Sequence, residues 1–327
     1  MQKLINKPEN VTSELLEGLV LSQQEKLALV DGNIVLSKSL ADKQRVAVIA
    51  FGGVGNEPAL SGFVGEGLLD AFVAGAVFAA PGPAACLKAV QLVDRGQGVL
   101  VICANHTGDM LTAHIIRQQA QRLGLKAAVI AAHDDAAQAG REQPDERRGL
   151  LGCMPLCKIA GAAAASGKSL DEVVALAQRL ADNTATLAVL TKAAGQAEAS
   201  ATNAGGTMLV GAGLHGEAGG EELPLPQADE AAALLTARLL ENLKPCAGEK
   251  LLVLVSGSGR VSLTEQLIVF RGVYAKLEAE GMTVAASHVG ELQGLAANGL
   301  QLCLARLDDE LLALWKAPCN TPYYKQL

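Results

Sequence analysis

Residues 45–58 read Arg-Val-Ala-Val-Ile-Ala-Phe-Gly-Gly-Val-Gly-Asn-Glu-Pro, and this stretch decides the fold class. After Arg45 the chain is apolar through Phe51, which is typical of a strand buried on both faces of a parallel sheet. The glycines that follow let backbone N–H groups approach a ligand, and ligands of open α/β sheets bind beyond the carboxyl ends of the strands. Taken alone, the glycines fit an ordinary strand-to-helix turn better than a pocket.

The order of strand, polar loop and helix recurs along the chain. The next strand is predicted at 98–104, followed by the polar loop 105–109 and a helix, and a third strand, 125–132, ends at His133. Alternating strands and helices indicate an α/β fold with a largely parallel sheet. Pocket residues are therefore expected in the loops that follow the strands.

The chain changes character near residue 184, where a stretch of small residues begins soon after a short strand. Strands and helices then alternate again. We therefore predict two α/β domains, 1–184 and 185–327, each a mostly parallel or mixed sheet covered by helices. The first carries the glycine loop and Asp109, and the second carries His215.

Composition narrows the function classes. The net charge is −7 and aromatic residues make up only 3%, which argues against a nucleic-acid partner. No apolar run approaches the ~20 residues of a membrane span, and the N-terminus lacks the apolar core of a signal peptide. The seven cysteines are odd in number and mostly lie in apolar segments, as expected of reduced thiols. We expect a cytoplasmic protein that binds neither nucleic acid nor a membrane.

Two motifs look like sites and are interpreted otherwise. Cys153 and Cys157 are four residues apart, but no second pair or nearby histidine completes a metal site, so no metal is predicted. The sequence Ser-Gly-Lys-Ser at 166–169 lacks the first glycine of a phosphate loop and ends a helix instead of following a strand. Gly167 is interpreted as a helix C-cap, and Ser169 with Glu172 as a capping box. No nucleotide site is predicted in this chain.

Five ordered motifs, taken together, resemble the substrate-binding K subunit, or Dak1 domain, of dihydroxyacetone kinases. Each motif is weak alone, but they run from the N-terminal third to the C-terminus, so the resemblance covers nearly the whole chain. They are Gly52-Gly53-x-Gly55-x-Glu57-Pro58, Asn105-x-Thr107-Gly108-Asp109, Arg147-Arg148-Gly149, Gly213-x-His215-Gly216-Glu217, and Leu307-Asp308-Asp309-Glu310 with Leu314-Trp315-x-Ala317-Pro318.

The resemblance implies a homodimer that holds dihydroxyacetone through a covalent bond between a histidine ring nitrogen and the ketone carbon. In this sequence that histidine is His215. A neutral imidazole is nucleophilic near pH 7 and adds to a carbonyl but not to an alcohol, so the bond would distinguish a ketone from glycerol. Without the family, a histidine between glycines is more often a turn residue.

The resemblance also assigns Asp109 the role of the base that accepts a proton from the attacking hydroxyl. The alternative is that Asp109 is the N-cap of its helix. Gly52, Gly53 and Asn56 are the further residues expected at the substrate.

Three positions depart from the family. Asn56 stands where the family usually has a catalytic histidine, and asparagine cannot exchange a proton near neutral pH. Ala104 replaces a lysine that hydrogen-bonds the substrate, and Ala80 replaces a small polar residue. Loss of a general acid–base group typically lowers a rate by about 10²- to 10⁴-fold, but leaves binding possible.

Two hypotheses therefore stay open. In the first, the chain presents dihydroxyacetone or a similar short ketose to a separate nucleotide-bearing L subunit, which would hold ATP, or ADP recharged by the phosphotransferase system, with Mg. This chain itself would carry no cofactor. In the second, the chain is a non-catalytic paralogue that senses a ketone and acts as coactivator of a transcription regulator.

Overall fold

The computed structural model describes residues 4–40, 44–192, 206–214, 217, 220–257, 259–294 and 298–327. In chain order, the helices and strands of these residues are α1 (Val11–Ser22), β1 (Leu27–Val30), β2 (Ile34–Ser37), β3 (Ala47–Val54), β4 (Ala71–Val77), α2 (Pro83–Val93), β5 (Val99–Ala104), α3 (Thr107–Arg122), β6 (Ala127–Ala132), α4 (Cys153–Ala165), α5 (Leu170–Asp182), β7 (Thr184–Lys192), β8 (Thr207–Val210), β9 (Glu221–Pro224), α6 (Ala228–Leu243), β10 (Lys250–Gly257), α7 (Leu263–Ala279), β11 (Thr283–Val289), β12 (Gly299–Leu307), α8 (Asp309–Lys316), β13 (Cys319–Asn320) and β14 (Lys325–Gln326).

The chain folds into two compact units, and neither is continuous in sequence. Unit 1 consists of 1–131, 153–178 and 313–327, and unit 2 of 132–152 and 179–312. The sequence predicts one boundary after residue 184. A single boundary cannot describe these units, because periodicity identifies local elements but carries no signal for the sheet against which a segment packs.

Unit 1 is built on a sheet with the strand order β1-β2-β4-β3-β5-β6. The central strand β3 pairs in parallel with β4 on one side and with β5 on the other, whereas β1 and β2 add antiparallel pairs at one end. Side chains of α2 and α3 form one buried cluster with these strands, among them Cys86, Val90 and Ile116. Since three neighbouring strands are parallel, their carboxyl ends share one edge of the sheet.

Unit 2 has a sheet with the order β11-β10-β12-β7-β8-β9. Among the strand pairs described in the sheet of unit 2, only β10 and β11 are parallel, and the other pairs are antiparallel. Leu235 and Leu239 of α6 and Val273 and Leu277 of α7 pack with the strands in one buried core. The prediction of two α/β domains with parallel or mixed sheets is confirmed.

The local signals around residue 167 are confirmed as helix boundaries. Gly167 ends α4 with a φ of +83°, in the left-handed region that favours glycine. The Glu172 carboxylate accepts hydrogen bonds from the Ser169 backbone N–H at 2.8 Å and from its hydroxyl at 2.7 Å. This stretch is therefore a helix end followed by a capped helix start.

Candidate functional site

The strand β3 continues through Val54, so Gly52 and Gly53 are among its last residues and only Gly55 follows it, contrary to the prediction that the strand ends at Phe51. This glycine-rich end of β3 packs against a turn that follows the neighbouring strand β4. A Cβ added to Gly53 would come 2.5 Å from the backbone nitrogen of Ala79, and one added to Gly55 would come 2.6 Å from the ring of Phe78. Gly55 also has a φ of +113°. At Gly52, by contrast, an added Cβ would meet no atom within 4 Å. Two of the three glycines are therefore required by packing, and the third leaves open space beside the backbone.

Glu57 and Asn56 complete this loop. Both carboxylate oxygens of Glu57 accept the Gly55 backbone N–H, at 3.1 and 3.0 Å, so the motif residue Glu57 holds the loop that contains Asn56. Burial raises the pKa of Glu57, and the hydrogen bond from Gly55 opposes that rise. Asn56 itself is buried, with 6% of its surface exposed.

Asp109 lies in the first turn of α3, which follows β5. The N-cap of this helix is His106, so the alternative that Asp109 is the N-cap is wrong: the helix begins at Thr107, three residues earlier than an N-cap at Asp109 would require. Asp109 is buried, with 7% of its surface exposed, and its negative charge is favourable near a helix N-terminus.

Burial, together with the charge of Asp109, raises the pKa of the Cys86 thiol to about 12. The same two causes raise the pKa of Cys103.

The turn after β4 connects the glycine loop to the start of α3. Ala79 packs on Gly53, and the Cβ of Ala80 lies 3.5 Å from the position of a Cβ on Gly108. The hydroxyl of Thr112 donates a hydrogen bond of 3.1 Å to the carbonyl of Pro81. The segments that carry Gly52, Gly53, Asn56 and Asp109 are therefore held together at one edge of the sheet of unit 1.

His215 lies outside the described residues, but the segment that leads to it is described. After β8, the backbone N–H groups of Gly211 and Ala212 donate to the carbonyl of Ala188, at 2.8 and 3.3 Å. Gly211 has a φ of +89°, so the chain turns sharply there. The candidate nucleophile therefore follows an anchored turn in unit 2.

The sequence placed Asp135 in a loop expected to supply pocket residues and Arg148 in a family motif, but predicted no contact between them. Arg148 is 12% exposed and lies 2.7 Å from an oxygen of the fully buried Asp135 carboxylate. Burial raises the pKa of Asp135, and the Arg148 charge opposes that rise. Asp134 accepts the backbone N–H groups of Leu150 and Gly152 at 2.8 and 2.7 Å. Asp134 and Asp135 both accept hydrogen bonds from backbone groups of the protein. The motif that contains Arg148 was the sequence signal for this ion pair.

The described part of the chain contains no group of three or more His, Cys, Asp or Glu side chains placed to hold a metal ion. Cys153 and Cys157 are both buried in α4. Among the same residues, no helix combines the length and the apolar character needed to cross a membrane.

Comparison with known proteins decides the family. The family model described as the Dak1 domain matches residues 17–323. The chain belongs to the Dak1 family. It is 32% identical over 331 residues to the PTS-dependent dihydroxyacetone kinase 2, dihydroxyacetone-binding subunit DhaK, of Listeria innocua, covering 99% of both chains. The resemblance inferred from the motifs is confirmed.

Two further relatives show how widely this Dak1 fold is used. The L-erythrulose kinase of Pectobacterium atrosepticum is 32% identical over 334 residues, and this chain spans only 56% of its length. The solved structure of the dihydroxyacetone kinase operon co-activator Dha-DhaQ matches with a TM-score of 0.86 and 29% identity, over 96% of this chain and 98% of that one. The family thus contains both kinases and a co-activator of similar fold.

Proposed function

We propose that this chain is the substrate-binding subunit of a dihydroxyacetone kinase system, which holds dihydroxyacetone or a similar short ketose for phosphoryl transfer. The observation that carries the proposal is the end-to-end match to a dihydroxyacetone-binding subunit. The retained Asp109, buried in the first turn of the helix after a central parallel strand, supports it.

His215 is the proposed covalent ligand of the ketone. A ring nitrogen of the neutral imidazole bonds to the carbonyl carbon, the C=O π bond opens, and the ring N–H proton ends on the former carbonyl oxygen. No atom leaves, so the product is a hemiaminal. Glycerol has no carbonyl and cannot form it, which gives selectivity for ketones.

Asp109 is the proposed base for the hydroxyl that attacks the phosphoryl group. Its carboxylate accepts the hydroxyl proton as the oxygen–phosphorus bond forms. Gly52 leaves open space beside its backbone, which fits close approach of a substrate. Asn56 is proposed to hydrogen-bond the substrate through its amide, without transferring a proton.

The proposal requires a partner. We assign the nucleotide, ATP or ADP with Mg, to a separate L subunit, and we expect this chain to act as a homodimer. The phosphotransferase system is the proposed donor where the nucleotide is bound ADP, as similarity to the PTS-dependent Listeria subunit favours.

A second function, ketone sensing without catalysis, is favoured by one observation. The co-activator Dha-DhaQ matches nearly the whole chain in fold and at 29% identity. In this alternative, the buried Asn56 and the apolar Ala80 and Ala104 leave a ketone bound but not phosphorylated, and the occupied chain binds a transcription regulator.

One experiment separates the two functions. The chain is mixed with the nucleotide-bearing subunit encoded in the same genome, and the formation of ketose phosphate is followed, with D109N as the control. Turnover in the wild type that D109N lacks supports the kinase function. No turnover in the wild type, with turnover in N56H, contradicts it and supports the sensor.

A further inference from the structure

A buried ion pair in unit 2, between Asp135 and Arg148 in the segment after β6, lies against the segment before His215. The Nε and NH2 groups of Arg148 lie 2.7 Å from the same oxygen, Oδ2, of Asp135. The other carboxylate oxygen accepts the backbone N–H of Ala137 at 3.0 Å. With both carboxylate oxygens occupied inside the protein, Asp135 fixes the plane of the guanidinium.

The same guanidinium reaches the residues on both sides of His215. Its NH2 group donates to the carbonyl of Gly211 at 3.2 Å. Its NH1 group would be 2.6 Å from a Cβ on Gly213, and Oε2 of Glu217 would be 2.0 Å from that same position. The side chains of Arg148 and Glu217 therefore meet beside the backbone of Gly213, where only glycine leaves room for both.

We propose that Arg148, oriented by Asp135, is a positioning residue for His215. It binds the backbone carbonyl of Gly211, before His215, and lies beside Glu217, after it, so that it fixes both ends of the segment that carries the proposed nucleophile. This inference rests on the proposed function, in which His215 binds the ketone covalently.

The shape of arginine is essential to this role. A planar guanidinium can bind a carboxylate along one edge and a carbonyl with the remaining N–H of the same nitrogen, while its third nitrogen packs against a backbone. A lysine ammonium keeps the charge but is a single point, so it cannot bind Asp135 and Gly211 in this geometry and still reach Gly213.

Unit 2 offers a matched control. Arg306 binds Glu249 through Nε at 2.6 Å and through NH2 at 2.7 Å, and its NH1 donates to the carbonyl of Leu243 at 3.5 Å. It thus combines a carboxylate and a carbonyl as Arg148 does, but in bonds that involve no residue of the segment 211–217. R306K therefore measures how much the loss of such paired guanidinium contacts lowers stability when the segment 211–217 is not involved.

The test compares wild type, R148K and R306K by intact-protein mass spectrometry over a series of dihydroxyacetone concentrations, with the melting temperature of each. For R148K we expect the ketone concentration at half-occupancy to rise by about 10- to 10²-fold, the range that corresponds to the loss of one charge-assisted hydrogen bond. The occupancy at saturation should stay unchanged. Loss of folded protein would instead lower the saturating occupancy and leave the half-occupancy concentration where it was.

The possible outcomes are distinct. If R148K and R306K both keep the half-occupancy concentration of the wild type, the positioning role is wrong while the proposed function stands. If the wild type itself forms no adduct, both are wrong. Should R148K not fold, G213A serves instead: its Cβ would displace the ends of the Glu217 and Arg148 side chains, and we expect the same shift. An unchanged half-occupancy concentration in G213A would overturn the role.

Discussion

Ala80 packs against Gly108 in the first turn of α3: a Cβ on Gly108 would come 3.5 Å from that of Ala80, an ordinary van der Waals contact. Position 80 therefore borders the helix start that carries Asp109. The turn around it also packs on the glycine loop through Ala79. An apolar side chain at this place lowers the hydrogen-bonding capacity of the candidate site.

A hydroxyl at position 80 should strengthen ketose binding. We expect A80S to lower the dihydroxyacetone concentration at half-occupancy several-fold, equivalent to one added hydrogen bond of about 1 kcal/mol. The measurement is titration by mass spectrometry. The control is A79S, in the same turn but exposed to solvent. Equal effects of the two substitutions would remove position 80 from the substrate site.

Gly52 and Gly53 should respond differently to alanine. A Cβ on Gly53 would lie 2.5 Å and 2.9 Å from backbone atoms of Ala79 and Phe78, which cannot rotate away. We expect G53A to lower the free energy of unfolding by about 1–3 kcal/mol. G52A should unfold like the wild type in urea but bind ketone more weakly, because its Cβ fills the open space. Full ketone binding by G52A would contradict this.

Removal of the Asp109 charge should separate binding from catalysis. We expect D109N to lower the rate of ketose phosphate formation with the partner subunit by about 10²- to 10⁴-fold. The His215 adduct should persist, because the nucleophile is unchanged. The comparison of turnover with adduct occupancy in one preparation tests this. Loss of the adduct in a folded D109N would assign Asp109 to binding.

Lys158 should make stability depend on pH. It is fully buried, and its ammonium donates to the carbonyls of Leu314 and Ala317 at 2.9 and 2.8 Å. Burial lowers its pKa from 10.5 to about 8. Between these values the unfolded chain binds the proton and the folded chain does not, so this contribution to the free energy of unfolding grows as pH rises from 8 and is lost as pH falls through 8.

The variant K158M isolates that contribution. It leaves two buried carbonyls without their donor, so we expect a loss of about 1–3 kcal/mol at pH 7. The stability difference between wild type and K158M should widen from pH 8 to pH 10 in urea titrations. K316M, at an exposed position of α8, should show neither effect. A difference that is constant with pH would place the Lys158 pKa outside this range.

The sequence predicted those features whose signal is local. The apolar run before Gly52 predicted β3, and the run before Asn105 predicted β5. Ser169 with Glu172 predicted a helix start. Each of these signals depends only on residues that are close in sequence. The motifs also gave the family. The order of the strands and the return of the last fifteen residues to unit 1 depend on packing and had no such signal.

The candidate site was predicted in part for the same reason. Asp109 and Asn56 follow strands and were found from motif and position. The hydrogen bond from Arg148 to Gly211 joins residues 63 apart, and the turn at Ala79 packs on a glycine loop from another strand. Such contacts exist only once the sheet has formed, so periodicity could not reveal them.

The most direct test of the account is the covalent state of His215. Wild-type protein incubated with dihydroxyacetone, without borohydride, should gain the mass of one whole ketone, because the addition expels no water. Peptide mapping should place that mass on His215, and neither H215Q nor wild type with glycerol should gain it. A folded wild-type protein that remains unmodified at saturating dihydroxyacetone, or carries the ketone on a different residue, would contradict the account.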